Sequence, residues 1–210
     1  DKPSWTRFGV EKWHRRGVLH RDNGLPAAII RYSSHDDNVT KEWWINGVRS
    51  RPGGFPAVVS VDFCEWWEDG RMHRTGGLPA LEKIGPTSAT HPHLEYWEFG
   101  KRHRLGGNPA VIRGDGEEWW ENGLLHRDGD LPAVVTTHGR RMWCKRGVIG
   151  RGNDLPAIIE SDGSCTWFLD GKIHRDGGRP AVVQADGTMM WYAHGRIHRR
   201  CRRSSRPARP

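Results

Sequence analysis

The sequence predicts an all-β protein, an elongated, twisted antiparallel sheet of about eight tandem β-hairpin repeats, and three linked positions predict it. An aromatic residue stands four positions before a glycine in eight places: Trp13, Trp43, Trp66, Tyr96, Trp119, Trp143, Trp167 and Trp191 precede Gly17, Gly47, Gly70, Gly100, Gly123, Gly147, Gly171 and Gly195. Four positions after each glycine stands an arginine: Arg21, Arg51, Arg74, Arg104, Arg127, Arg151, Arg175 and Arg199. Five residues later comes a Pro-Ala pair, beginning at Pro26, Pro56, Pro79, Pro109, Pro132, Pro156 and Pro180; in the eighth unit it is delayed to Pro207. The stretch from Trp167 to Val183, WFLDGKIHRDGGRPAVV, shows the rule in one line.

Successive Pro-Ala pairs are 30, 23, 30, 23, 24 and 24 residues apart, so the period is near 24 and two units are longer. Their extra residues fall around 33–39 and 86–93, between an aliphatic run and an aromatic strand, and read as enlarged hairpin loops. Runs such as Ala133 to Val135 and Ala181 to Val183 are short and rich in β-branched residues. Each follows a proline, which blocks helix and suits the first residue of a strand. A turn comes next, at Asp115-Gly116, His138-Gly139, Asp162-Gly163 or Asp186-Gly187. These pairs, and Asn46-Gly47, Asp69-Gly70, Asn122-Gly123 and Asp170-Gly171 after the aromatics, fit type I′ hairpin turns. The aromatics lie on a second strand, as in Cys165 to Leu169, and a third stretch carrying His-Arg leads through a Gly-rich loop to the next proline.

On a strand, neighbouring residues point to opposite faces. The position four before the glycine is nearly all Trp; the position three before holds Trp44, Trp67, Trp97, Trp120, Phe168 and Tyr192, with His14 and Cys144 as exceptions. Five before the glycine stand Glu42, Glu65, Glu95 and Glu118 in consecutive units. The all-Trp row is therefore expected in the core, and the Glu and aromatic row on the more exposed face, where Trp44, Trp67, Trp97, Trp120 and the four glutamates form a candidate partner-contact surface.

The formal charge of +8 is uneven: residues 199–210 hold Arg199, Arg200, Arg202, Arg203, Arg206 and Arg209 and no acid, leaving +2 for the other 198 residues. The expected organisation is one repeat domain over residues 1–198 and a basic, flexible tail over 199–210. That tail is the candidate contact for nucleic acid or an anionic surface. No apolar run is long enough for a transmembrane segment, no signal peptide is visible at Asp1-Lys2-Pro3-Ser4, and Cys64, Cys144, Cys165 and Cys201 show no paired spacing. An intracellular or virion-associated setting is expected.

The turn glycine, the aromatic before it, the Gly-rich stretch after it and the period near 24 resemble MORN-type repeats over about residues 10–200. That resemblance implies β-hairpins stacked into an elongated antiparallel sheet. The recurrent Pro-Ala, and arginine where MORN repeats have glycine, depart from the usual pattern. The variant with Trp, Asn-Gly, His-Arg and Gly-x-Pro-Ala is similar to repeat proteins of giant DNA viruses and some phages.

The recurring histidines, His20, His73, His103, His126, His174 and His198, fall one per unit, so a shared metal site is not expected: two or three strands per unit separate equivalent atoms by roughly 10 to 15 Å. The arginine row is expected to stack on Trp and to satisfy loop carbonyls, with a stripe for phosphates or an acidic partner as the alternative. No G-x-S-x-G, P-loop or HExxH is present, and a repeat spreads similar side chains along the chain where an active site needs one asymmetric constellation. The expected function is a non-enzymatic, cofactor-free scaffold or protein-interaction module for a protein partner or its own copies, as a viral structural or host-interaction protein. The alternatives are nucleic-acid binding through the Arg-rich end and a carbohydrate- or lipid-contacting sheet.

Overall fold

The structure is a computed structural model in which residues 2–7, 9–32, 38–85 and 92–201 are described. All regular structure among them is β. The chain divides into two compact units, Asp1–Gly114 and Asp115–Pro210, each built on an antiparallel ladder.

In the first unit the ladder runs in chain order through Trp5–Arg7, Val10–Lys12, Ala28–Arg31, Val39–Glu42, Val58–Val59, Phe63–Glu65, Leu81–Lys83, Leu94–Glu95 and Val111–Arg113. In the second it runs through Gly116–Glu118, Val134–Thr136, Arg141–Met142, Ile158–Ile159, Cys165–Thr166, Val182–Val183, Met189–Ala193 and Arg196–Cys201. Neighbours in sequence are neighbours in space throughout, as a tandem hairpin repeat requires.

The expected aromatic strand is two strands. Cys165–Thr166 belongs to the ladder, whereas Phe168–Leu169 pairs with Lys172–Ile173 in a separate two-residue hairpin. The break falls at the core aromatic. Trp43 donates its N–H to Ala57 O at 2.8 Å, but its carbonyl turns to accept from Ser50 N at 3.2 Å; Trp167 does the same with Ala181 and His174. With that carbonyl taken from the ladder, the chain swings out into the small hairpin and returns.

The small hairpins turn as expected. Asn46-Gly47 has φ of 50° and 81°, and Asp69-Gly70 has 46° and 73°, the two positive values of a type I′ turn. The other turns differ. At Asp162-Gly163 and Asp186-Gly187 only the glycine has positive φ. Gly163 N donates to Glu160 O, and Glu160 N to Ser164 O. This is a three-residue turn closed by a left-handed glycine, and the Asp162 and Asp186 carboxylates accept from the N–H two residues on, at 2.8 Å.

Small hairpins of successive repeats are tied through their turn glycines: Gly47 N donates to Leu19 O and Gly70 N to Arg49 O. A Cβ on Gly47 would come within 3.2 Å of the Val18 side chain, at a φ of +81°. Glycine is thus needed there twice, for backbone conformation and for close approach. The core itself is Trp on Ala. Trp13, Trp43, Trp66, Tyr96, Trp119 and Trp143 are buried, Trp167 and Trp191 near the C-terminal end are only half-buried, and Ala27, Ala57, Ala80, Ala110, Ala133, Ala157 and Ala181 are completely buried.

Candidate functional site

The face expected to meet a partner is largely occupied with its own bonds. The indole N–H of Trp44, Trp67, Trp97 and Trp120 donates to Glu42, Glu65, Glu95 and Glu118 at 2.8, 2.8, 3.0 and 2.8 Å. The spacing of two residues produces this, because it puts both side chains on one side of the extended chain. Arg49 sits over both Trp44 and Trp67, 4.8 and 4.9 Å from the ring centres, and pairs with Glu42 at 3.3 Å. Glu95 is buried, accepting from His93 at 2.9 Å and pairing with Arg102 at 3.1 Å. Burial pushes its carboxyl up, but the bonds from His93, Arg102 and Trp97 outweigh that and hold it below the ordinary glutamate value. In the first unit Trp44, Trp67 and Trp97 are thus braced and half-buried against Glu42, Glu65 and the buried Glu95, and in the second unit Trp120 and Glu118 form the same half-buried pair.

Four of the recurring histidines clamp one repeat to the next. His20 Nε2 meets Asp22 at 2.9 Å while its Nδ1 accepts the backbone N–H of Asn46, in the following turn, at 3.0 Å. His126 Nδ1 accepts from Arg146 N at 3.3 Å, and His73 and His174 accept from Phe99 N and His194 N at 3.4 Å. Among the described residues no group of three or more His, Cys, Asp or Glu side chains is placed to hold a metal.

All eight arginines of the repeat stack on the aromatic of their own unit. The guanidinium carbon lies 3.6 to 3.9 Å from the ring centre for Arg21, Arg51, Arg74, Arg104, Arg127, Arg151 and Arg175, and at 4.5 Å for Arg199. In most, NH1 also donates to the carbonyl of the proline five residues on, as Arg51 does to Pro56 at 3.2 Å and Arg104 to Pro109 at 3.1 Å. The loop wraps around its arginine, satisfying a carbonyl that the proline-broken chain leaves without a ladder partner.

The loops also hold the next unit. Trp43, Trp66, Trp143, Trp167 and Trp191 donate Nε1 to the carbonyls of Gly24, Gly54, Asp130, Asp154 and Gly178 in the preceding loop, at 2.8 to 3.0 Å. Trp13 Nε1 is buried and has no partner among the described residues.

Hollows lie between loops and the small hairpins that follow them. In the first unit three succeed one another, of about 210, 320 and 390 Å³. Leu25 and Trp44 line the first, Phe55 and Trp67 the second, Leu78, Trp97 and Leu105 the third. Leu25, Phe55, Leu78 and Leu105 are 42, 59, 50 and 75 % exposed. Sequence reasoning placed Trp44, Trp67 and Trp97 on this side but missed the loop residues. Their signal was present: Leu25, Phe55 and Leu78 each immediately precede the Pro-Ala proline.

At the basic end, Arg199 and Arg200 belong to the strand Arg196–Cys201, where they pair with Trp191 and Met190. Arg202, Arg203, Arg206 and Arg209 lie outside the described residues, as do most of the two long loops, residues 33–37 and 86–91. The cysteines are free; burial pushes the Cys144 thiol up to about 11. No described helix could cross a membrane. No protein-family model matches the sequence, and no curated protein matches it.

Proposed function

We propose that this chain is a non-enzymatic repeat scaffold that binds a protein partner, or further copies of itself, across successive loops. The observation that carries this reading is the row of exposed apolar residues, Leu25, Phe55, Leu78 and Leu105, beside three consecutive hollows. Side chains in solvent on turns with positive φ do not serve the core, and Leu25, Phe55 and Leu78 recur at one repeat position with Leu105 beside Leu78 in the third hollow, which suits a ligand that extends over several repeats. Trp44, Trp67 and Trp97 supply the opposite walls, already rigid because their N–H groups are bonded. Rigid aromatic walls lose little entropy on binding. The resemblance to MORN-type repeats of giant DNA viruses and phages supports a viral structural or host-interaction setting.

A photo-crosslinking residue at Phe55 or Leu78, introduced in the native source, tests the reading. A common adduct from both positions, absent when Leu105→Asp is added, is expected. Absence of an adduct at either position would remove it. The second reading, contact with nucleic acid through the Arg-rich end, rests on the six arginines without an acid in residues 199–210.

A further inference from the structure

Two arginines of the second unit, Arg151 and Arg175, take a carboxylate on the edge away from the proline carbonyl. Arg151 donates Nε and NH2 to the two carboxylate oxygens of Asp130 at 2.8 and 2.9 Å; Arg175 does the same to Asp154 at 2.9 and 2.8 Å. Arg175 does so while NH1 still reaches Pro180 O at 3.4 Å. In each case the aspartate lies in the preceding loop, two residues before its proline, and has positive φ, 55° and 54°. A non-glycine residue in that conformation is costly, and the two-point ion pair offsets the cost.

The first unit carries glycine at this place. Gly24 precedes Arg51 as Asp130 precedes Arg151, and its carbonyl is held by Trp43 Nε1 at 2.8 Å just as that of Asp130 is held by Trp143 at 2.9 Å. Gly77 stands in the same relation to Arg104, with φ of +68°. Arg51 and Arg104 stack on their aromatics and bond their proline carbonyls. Among the described residues neither is paired with a carboxylate. The arginine between them, Arg74, has its own acid in Glu82 at 2.7 Å.

We propose that Arg51 and Arg104 each receive, on the Nε and NH2 edge, a carboxylate from an extended acidic segment of a protein partner, which occupies the place that Asp130 and Asp154 fill in the second unit. The inference rests on the protein-binding reading above and specifies the chemistry of the ligand. Both arginines line a hollow, of about 210 and 390 Å³, and the hollow between them is walled by Phe55 and Trp67. The ligand pattern is therefore acid, apolar, acid. Four strand steps of about 4.8 Å separate the two arginines, roughly 19 Å, which an extended chain spans in about six residues.

The probe is the peptide Glu-Ser-Leu-Ser-Leu-Ser-Glu, whose two acids and two leucines share one face when extended, with its Gln-for-Glu counterpart as control. Binding to the full chain is measured by fluorescence anisotropy. The acidic peptide is expected to bind about tenfold or more tightly than the Gln peptide. The decisive variant is Gly24→Asp with Gly77→Asp: both glycines have positive φ and nothing within 4 Å of an added Cβ. It should fold, place its own carboxylates on Arg51 and Arg104, melt no lower than the parent, and weaken the acidic peptide about tenfold or more. Equal binding of the two peptides, or undiminished binding to the double variant, overturns the carboxylate inference and leaves the crosslinking result standing. No binding of either peptide overturns it as well. A single-stranded oligonucleotide that binds the parent but not the double variant would overturn it in favour of phosphate.

Discussion

Arg127 lies over Trp119 with its guanidinium carbon 3.6 Å from the ring centre, and its NH1 donates to Pro132 O at 3.2 Å. One side chain thus covers a core aromatic and closes a loop. Arg127→Ala uncovers the ring and strips the carbonyl of its donor, at a cost of about 1 to 3 kcal/mol. The melting temperature should fall by roughly 2 to 8 °C. Arg127→Lys should restore little, because an ammonium cannot stack and bond in the same plane. An unchanged melting temperature for the alanine variant would sink this role.

Ala80 is completely buried, and its carbonyl accepts from Trp66 N at 2.8 Å. Ala80→Leu has no room beside the core aromatics and should destabilise by about 1 to 3 kcal/mol. Urea unfolding with an unshifted midpoint would show that the Pro-Ala position tolerates bulk.

His20 joins its repeat to the next through the Asn46 N–H at 3.0 Å. His20→Phe keeps a ring but loses the acceptor. Hydrogen exchange at the Asn46 amide should accelerate by about tenfold, with smaller effects at amides of distant repeats. Equal acceleration throughout would mean that the bond is not a local clamp.

The bonds from Arg175 hold the Asp154 carboxyl below the usual aspartate range. A group depressed on folding contributes stability above its unfolded pKa, and that contribution is lost as pH falls through the folded value. Thermal stability should therefore decline as pH drops below about 4, the ordinary aspartate value. Asp154→Asn should be less stable than the parent at neutral pH, with a flatter acid limb. A parent and variant with parallel pH profiles would contradict the coupling.

Removal of residues 202–210 takes away four arginines. If the Arg-rich end binds nucleic acid, affinity for an oligonucleotide should drop and the salt dependence should become shallower by up to about four charges. Retention of the full salt slope would place any such binding elsewhere.

Much of the fold was legible because the repeat states it eight times. The Trp row had to be core, since few other large apolar residues recur, and the Pro-Ala and glycine positions marked strand starts and turns. The break at Trp43 and Trp167 was not legible. Alternation along the chain looks the same whether or not one carbonyl leaves the ladder, and only the bond from a residue seven positions on reveals it. The turn at Asp162-Gly163 was misread for a related reason: Asp-Gly serves both type I′ turns and left-handed-glycine turns, and the flanking ladder register chooses between them.

The sequence by itself determined the repeat, its β character and its chemical inventory, because period and residue type are local properties. Tertiary structure decided which groups were already committed. Glu42 and Trp44 stand two residues apart in the sequence as a polar and an aromatic candidate for a partner; in the fold each completes the other's hydrogen bonding. Arg51 and Arg151 are identical in repeat position, yet only Arg151 has a carboxylate, supplied from the preceding loop. Whether a charged group is spent or still available depends on what the neighbouring repeat brings to it across about 20 residues of chain, and a single repeat unit does not contain that information.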